Sequence, residues 1–195
     1  MQLKIYKISH PVLKIIMNQI NETHIKQSKQ EYYSRYIGFL MIYEILRRYI
    51  KIQNLYIKII EGTKTIEEIN QNRRYIILTD ISQTYNMITD IKSLISNIEV
   101  FHIDYKNNYD IKKSMEKINL DIKDAYIFII ERITEDYKVL DLINILHKNQ
   151  KILIKNIVLG NIFINDIILK TIGNQYPEMT VYTTKINYYG ENKNY

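Results

Sequence analysis

The chain has 195 residues, 46% of them hydrophobic and 25% charged, a balance that fits one soluble globular domain and a sizeable core. It has no cysteine, which excludes disulfides, thiolate nucleophiles and cysteine-held zinc or iron–sulfur centres, and its four histidines form no HxxxH or HExxH pair. The net charge of +6 is spread over 27 basic and 21 acidic residues without a run of four like charges, which argues against a nucleic-acid surface, and no segment approaches the ~18 uninterrupted apolar residues of a membrane span.

Near the N-terminus, Pro11 opens a short helix over 12–20. Residues 28–51 follow, with apolar side chains at helical spacing, and read as one long, largely buried helix whose basic end (Arg47, Arg48, Lys51) complements the helix dipole. A strand over 55–60 ends at Glu61-Gly62-Thr63 and begins a β-rich arm. Then strands at 75–78, 100–103, 126–130, 154–159 and 180–183 alternate with helices at 85–95, 139–146 and 165–172, and a polar excursion fills 104–117. This alternation predicts βαβ units and a mostly parallel central sheet flanked by helices, an α/β fold. Ligands in such sheets bind at the carboxyl ends of the strands, which marks segments 79–84, 104–109, 131–138, 160–164 and 184–189. The expected organisation is an N-terminal helical and β-arm part (1–72), an α/β core (73–185) and a polar tail (186–195), together one structural domain.

Residues 124–150 have the outline of a phosphate-binding strand, loop and helix but none of its glycines. Glycine lets backbone N–H groups approach a phosphate closely, and no glycine stands between Gly62 and Gly160. The connector 132–138 instead carries Glu135, Asp136 and the bulky Tyr137 after the acid Glu131, a set that repels a pyrophosphate, and the Tyr137 ring could close the pocket sterically.

Several segments together resemble the uracil phosphoribosyltransferase family, type I enzymes that join uracil to phosphoribosyl pyrophosphate (PRPP). His10-Pro11-Val12-Leu13, then Ile37-Gly38-Phe39-Leu40 and Tyr43-Glu44 up to Arg47, are similar to that family's His-Pro-Leu and Ile-Gly-x-Leu-x-x-Tyr-Glu-x-x-Arg pattern. Met87-Ile88, residues 100–103 and residues 176–183 continue the likeness over nearly the whole chain. The resemblance implies a type I phosphoribosyltransferase fold with an N-terminal helical and β-arm elaboration, a homodimer, and a reaction that uses Mg²⁺ with PRPP.

Where the family has its PRPP loop of an acid followed by Ala-Thr-Gly-Gly-Ser, this chain keeps the acid as Glu131 and then has Glu135, Asp136, Tyr137, Lys138 and Val139. The family's pyrophosphate-contacting Arg-Ala-Gly is matched by Ser82, Gln83 and Thr84, which removes a bidentate guanidinium. The sequence given ends at Asn194-Tyr195, before the segment that reads uracil in the family. These departures imply a degenerate homologue, a pseudoenzyme of pyrimidine salvage with no catalytic residues, no metal site and no cofactor of its own. It would persist through an unidentified protein partner or a homodimer, with Arg47 as a residual anion contact. Two alternatives stay open: a weak or altered nucleotide-binding protein using Glu131, Asp136, Lys138 and Arg47, and an RNA-binding module using the tyrosine-rich surface. A composition dominated by Ile, Lys, Asn and Tyr follows A/T-rich codons, and with no targeting segment in view it predicts a soluble protein of an organelle, a plastid.

Overall fold

The computed structural model describes residues 2–20, 27–118 and 125–188. Six strands form one sheet in the order β1-β8-β7-β6-β4-β5, and every neighbouring pair is parallel. The strands are β1 (Lys4–Lys7), β4 (Arg74–Thr79), β5 (Ile98–His102), β6 (Ala125–Thr134), β7 (Ile157–Asn165) and β8 (Thr180–Asn187). Their central members are near-continuous apolar runs such as Tyr75-Ile76-Ile77-Leu78, all 0% exposed, because both faces of a parallel sheet are covered.

One face packs against α1 (Pro11–Ile20), α2 (Gln27–Tyr49) and α3 (Ile81–Leu94), through Leu13, Met41, Ile45 and Met87 against Ile77, Phe128 and Val158. The other packs against α4 (Asn108–Glu116), α5 (Lys138–Asn144) and α6 (Asp166–Gln175), through Ile111, Leu142 and Ile168 against Ile76, Ile129 and Leu159. The strand order reverses at β4. The chain steps outward to β5, then returns through α4 to the other side of β4 and continues to β6, β7 and β8. The helices change face with the direction of travel, as right-handed crossovers require.

Two glycines allow α2 to sit close. A Cβ on Gly38 would lie 2.4 Å from the Cβ of Met87 on α3, and one on Gly160 would lie 2.8 Å from Ile45. The helix is amphipathic rather than largely buried: Ile37, Met41 and Ile45 face the sheet while Tyr36 and Tyr43 are exposed. The predicted arm is a full hairpin, β2 (Ile52–Ile59) antiparallel to β3 (Gly62–Ile69), joined by Ile60 and Glu61 and standing clear of the sheet.

The structure departs from the sequence reading in further places. The polar excursion holds α4, capped by Asn107, whose Oδ1 accepts from the Asp110 N–H at 2.9 Å. Strand β1, absent from the sequence reading, pairs parallel with β8. The strand expected over 154–159 starts as a single 3₁₀ turn and becomes β7 only at Ile157, and the helix after β6 ends in a π-helical turn, Ile145–Asn149. Strands β6, β7 and β8 run on past the expected ends, so segments 160–164 and 184–187 are strand and not loop. Residues 189–195 of the predicted tail, and Asp124, lie outside the described residues.

Candidate functional site

In an open parallel sheet the crevice lies where strand order reverses, outside the carboxyl ends of the two strands that diverge there. Here those strands are β4, which leads outward to β5, and its neighbour β6, which leads the other way to β7. Strand β4 ends with Thr79 opposite Ile130, while β6 continues to Thr134 against β7. The overhang forms one wall of a cavity of about 320 Å³ whose lining includes Asp80, Gln83, Thr84, Tyr105, Glu131 and Lys138. The extension of β6 corrects the expected connector: only Glu135, Asp136 and Tyr137 separate strand from helix.

The alternation of faces slips within this overhang. Ile130 and Ile133 both join the core beneath α2, as do the neighbours Ile162 and Phe163 on β7. Such a slip re-aims side chains at a strand's end. It brings Thr134 back beside Glu131, and the Thr134 hydroxyl donates to the Glu131 carboxylate at 2.5 Å. Asn161, fully buried on β7, donates its amide to Thr134 at 3.2 Å, and its Oδ1 has no hydrogen-bond partner among the described residues.

Burial pushes the Glu131 carboxyl up to about 7; the Thr134 hydrogen bond opposes the rise and the nearby Asp136 adds to it. Tyr105, from the segment after β5, brings its hydroxyl beside this carboxyl, buried and without a hydrogen bond of ordinary geometry. Burial first and the Glu131 charge second hold that phenol well above its usual range.

The start of α3 is the position matched to the family's pyrophosphate loop. It is a helical turn whose N–H groups are already used. Asp80 is the N-cap, and its Oδ1 accepts from the Ser82 N–H at 3.0 Å and the Ser82 hydroxyl at 2.6 Å. The Ile81 N–H goes to His102 Nδ1 at 3.2 Å, and the Gln83 and Thr84 N–H groups go to the Asp80 carbonyl at 3.1 and 3.0 Å. Thr84 is buried, its hydroxyl donating to the Asp80 carbonyl at 2.8 Å beside the Thr79 hydroxyl at 2.6 Å. Ser82 and Gln83 remain exposed.

The start of α5, which the sequence resemblance sets against the family's PRPP loop, is filled in the same way. Asp136 accepts from the Lys138 N–H at 3.1 Å, and its other oxygen pairs with Lys138 Nζ at 3.1 Å. The carboxylate thus holds the backbone donor and the cation that a phosphate would need. Val139 is turned into the core at 1% exposure. Tyr137 is 56% exposed and does not line the cavity, so its ring does not close the site.

The cavity is lined by four acids (Asp80, Glu131, Glu135, Asp136) and two bases (Arg132, Lys138). With all of them charged, the lining carries two more negative than positive charges. Of the sites marked in the sequence, Glu131, Asp136, Lys138, Gln83 and Thr84 come together here. Arg47 does not. It pairs with Glu44 at 2.9 Å at the end of α2 and lines a different cleft with Tyr6, Arg48 and Tyr182. Tyr105 and Asn161 were not singled out by the sequence; the available signal for Asn161 is one amide inside an otherwise apolar run.

The family implies Mg²⁺ brought with PRPP. Among the described residues no three His, Asp or Glu side chains converge as a metal-holding group. The carboxylates that come nearest to it are engaged by Ser82, Thr134 and Lys138, so this donor set does not fit a divalent ion.

The sequence matches the family model described as Uracil phosphoribosyltransferase over residues 7–195. No curated protein matches it. Among solved structures, the AQ2163 protein from Aquifex aeolicus aligns with a TM-score of 0.70 at 15% identity, covering 98% of this chain and 91% of that one, a likeness of fold. A purine phosphoribosyltransferase from Pyrococcus horikoshii Ot3 aligns with a TM-score of 0.41 at 14% identity, covering 83% of this chain and 91% of that one. The family match spans nearly the whole chain and agrees with the parallel sheet and its crevice at the switch point: this protein belongs to the uracil phosphoribosyltransferase family.

Proposed function

We propose that this family member has lost phosphoribosyl transfer from PRPP to uracil and persists as a pseudoenzyme. The observation that carries the reading is that each helix start facing the crevice has a backbone N–H taken by the protein's own carboxylate, Ser82's by Asp80 at α3 and Lys138's by Asp136 at α5. A 5′-phosphate or pyrophosphate arriving there meets acids where it needs N–H groups. Transfer of this kind depends on positioning and on stabilising the departing pyrophosphate, and each lost oxyanion-type donor costs roughly 3–4 kcal/mol of barrier. Losing donors at two loops together removes the reaction.

The test is UMP formation from uracil and PRPP with Mg²⁺, followed by wild-type calorimetry with PRPP. The expected result is no turnover above the protein-free blank; turnover in the range of an ordinary enzyme, roughly 1 s⁻¹ or faster, sinks the proposal. A second reading, a protein that holds an altered small ligand in the same crevice, is favoured by the buried Tyr105 hydroxyl beside Glu131, which makes no hydrogen bond of ordinary geometry among the described residues. Micromolar binding of a phosphorylated sugar that Tyr105→Phe weakens would select it.

The partner that fits the first reading is a second copy of the chain. Supporting this, hairpin β2–β3 turns Leu55, Ile57, Ile59 and Ile66 to solvent on one of its faces, and a two-stranded hairpin is marginal by itself. The A/T-codon composition supports a plastid as the compartment, and among the described residues no helix is long and apolar enough to cross a membrane.

A further inference from the structure

Two clefts flank the turn between β1 and α1, on the α2 face of the sheet and away from the switch-point crevice. One, of about 570 Å³, is lined by Lys7, Ser9, Glu44, Arg47 and Arg48 together with Tyr6, His10 and Tyr182. The other, of about 420 Å³, shares Lys7 to Ser9 with it and adds Lys14 and Lys185. Their linings hold five cations (Lys7, Lys14, Arg47, Arg48, Lys185) and one acid (Glu44), four positive charges in excess. The crevice where the family would bind its anion has an excess of negative charge, two with Glu131 ionised and one with it protonated, so the anion-attracting field of this protein lies elsewhere.

Most of these cations are uncommitted. Arg47 is paired with Glu44, while Lys7, Lys14 and Lys185 take part in no ion pair among the described residues. Arg48 lies over the Tyr6 ring at 4.9 Å and donates to its hydroxyl, which fixes the guanidinium at the cleft wall. Three cations with no ion pair among the described residues and one held rigid make a site with more positive charge than its own acid, Glu44, can balance.

The aromatic rings narrow the ligand class. Tyr6 stacks on Tyr182 at 5.0 Å and its hydroxyl is held by Arg48, so one face of its ring and its polar end are already engaged. The start of α1 adds little, because the Val12 N–H is taken by His10 Nδ1 at 3.2 Å. Recognition rests on clustered cations and the Ser9 hydroxyl, which suits a short chain of phosphates rather than a base or a strand of stacked bases.

We propose that the paired clefts around the β1–α1 turn form a binding site for an oligophosphate anion, free or carried on a nucleotide, held by Lys7, Lys14, Lys185, Arg47 and Arg48. The site is independent of the crevice and of whether transfer has been lost there.

The test is calorimetry on the full chain with inorganic tripolyphosphate at low and at physiological salt. Wild type binds, and its affinity falls as salt rises. Lys7→Glu/Lys14→Glu weakens binding at least about tenfold, and Lys185→Glu alone weakens it too, on a separate strand and with an unchanged melting temperature. Lys138→Glu, in the crevice, leaves binding as it is. ATP binding like tripolyphosphate assigns recognition to the phosphate chain; tighter ATP binding, still lost in the Lys7→Glu/Lys14→Glu protein, makes the natural source a nucleotide, and both results uphold the site. No binding by wild type overturns it, as does unchanged binding in Lys7→Glu/Lys14→Glu, or a short single-stranded RNA binding more tightly than tripolyphosphate. PRPP bound through Lys138 and not through Lys7 would overturn this site and the loss of PRPP binding together; PRPP bound through Lys7 without UMP formation upholds both.

Discussion

Glu131 is the acid kept from the family pattern, and its surroundings change what it does. With the Thr134 hydroxyl on one side and Tyr105 on the other, its carboxyl is desolvated and raised from an ordinary 4.5 to about 7. An acid whose folded pKa exceeds its unfolded one binds its proton more tightly when folded, so stability falls as pH rises from about 4.5 to about 7 and stays at the lower level above that. For a half-buried side chain the loss is on the order of 2 kcal/mol. Asp90 and Glu99, held below the usual range by hydrogen bonds from Arg35 and Arg74, act in the opposite sense, but their window lies lower, where carboxylates protonate. Urea midpoints at pH 5 and pH 8 are therefore expected to differ for wild type and to converge in Glu131→Gln; an equal decline in the variant would place the effect on another group. None of this was legible in the sequence. Glu131 was marked from its position after an apolar run, whereas the groups that set its shift, the acids Asp136 and Asp80 that raise it and Tyr105 that opposes the rise, come from other elements or from the turn beyond.

At the scale of elements, the parallel strands were legible because burial on both faces demands apolar runs, and those runs stand out. Strand β1 was not, since at an edge three of its four residues are exposed and no apolar run results. Helix α4 escaped because only Ile111 and Met115 face the core, one pair at i and i+4 in a polar stretch. The continuation of β6 through Glu131 and Arg132 comes from its pairing with β7, a long-range partner that composition does not announce. Gly38, by contrast, was found in the sequence and has a mechanical role. A Cβ there would lie 2.5 Å from the Met87 Cα, an atom of the backbone, so Gly38→Ala must push α2 and α3 apart. Destabilisation of about 1–3 kcal/mol in chemical denaturation is expected. Gly173 on α6 is the contrast. The nearest atoms to its added Cβ are at 3.7 Å, so Gly173→Ala should stabilise by about 0.5–1 kcal/mol. A neutral Gly38→Ala would mean the two helices can separate freely.

For the whole molecule, the hairpin and the charge distribution are the features on which the proposed dimer and anion site rest. Hairpin β2–β3 leaves Leu55, Ile57, Ile59 and Ile66 exposed on one face, and we expect Leu55→Glu/Ile57→Glu to sediment as a monomer where the wild type sediments as a dimer. Equal sedimentation of the two proteins would remove the hairpin from the interface. Read alone, the sequence determined the α/β class, the family likeness and the loss of the glycine loop, because each is written in short stretches of residue type and spacing. Tertiary structure decided the rest. It set Asp80 and Asp136 on the helix starts, moved Arg47 to a separate cleft and gathered Lys7, Lys14 and Lys185 around one turn. Charge at a site is a sum over side chains distant in sequence, and only the fold performs that sum.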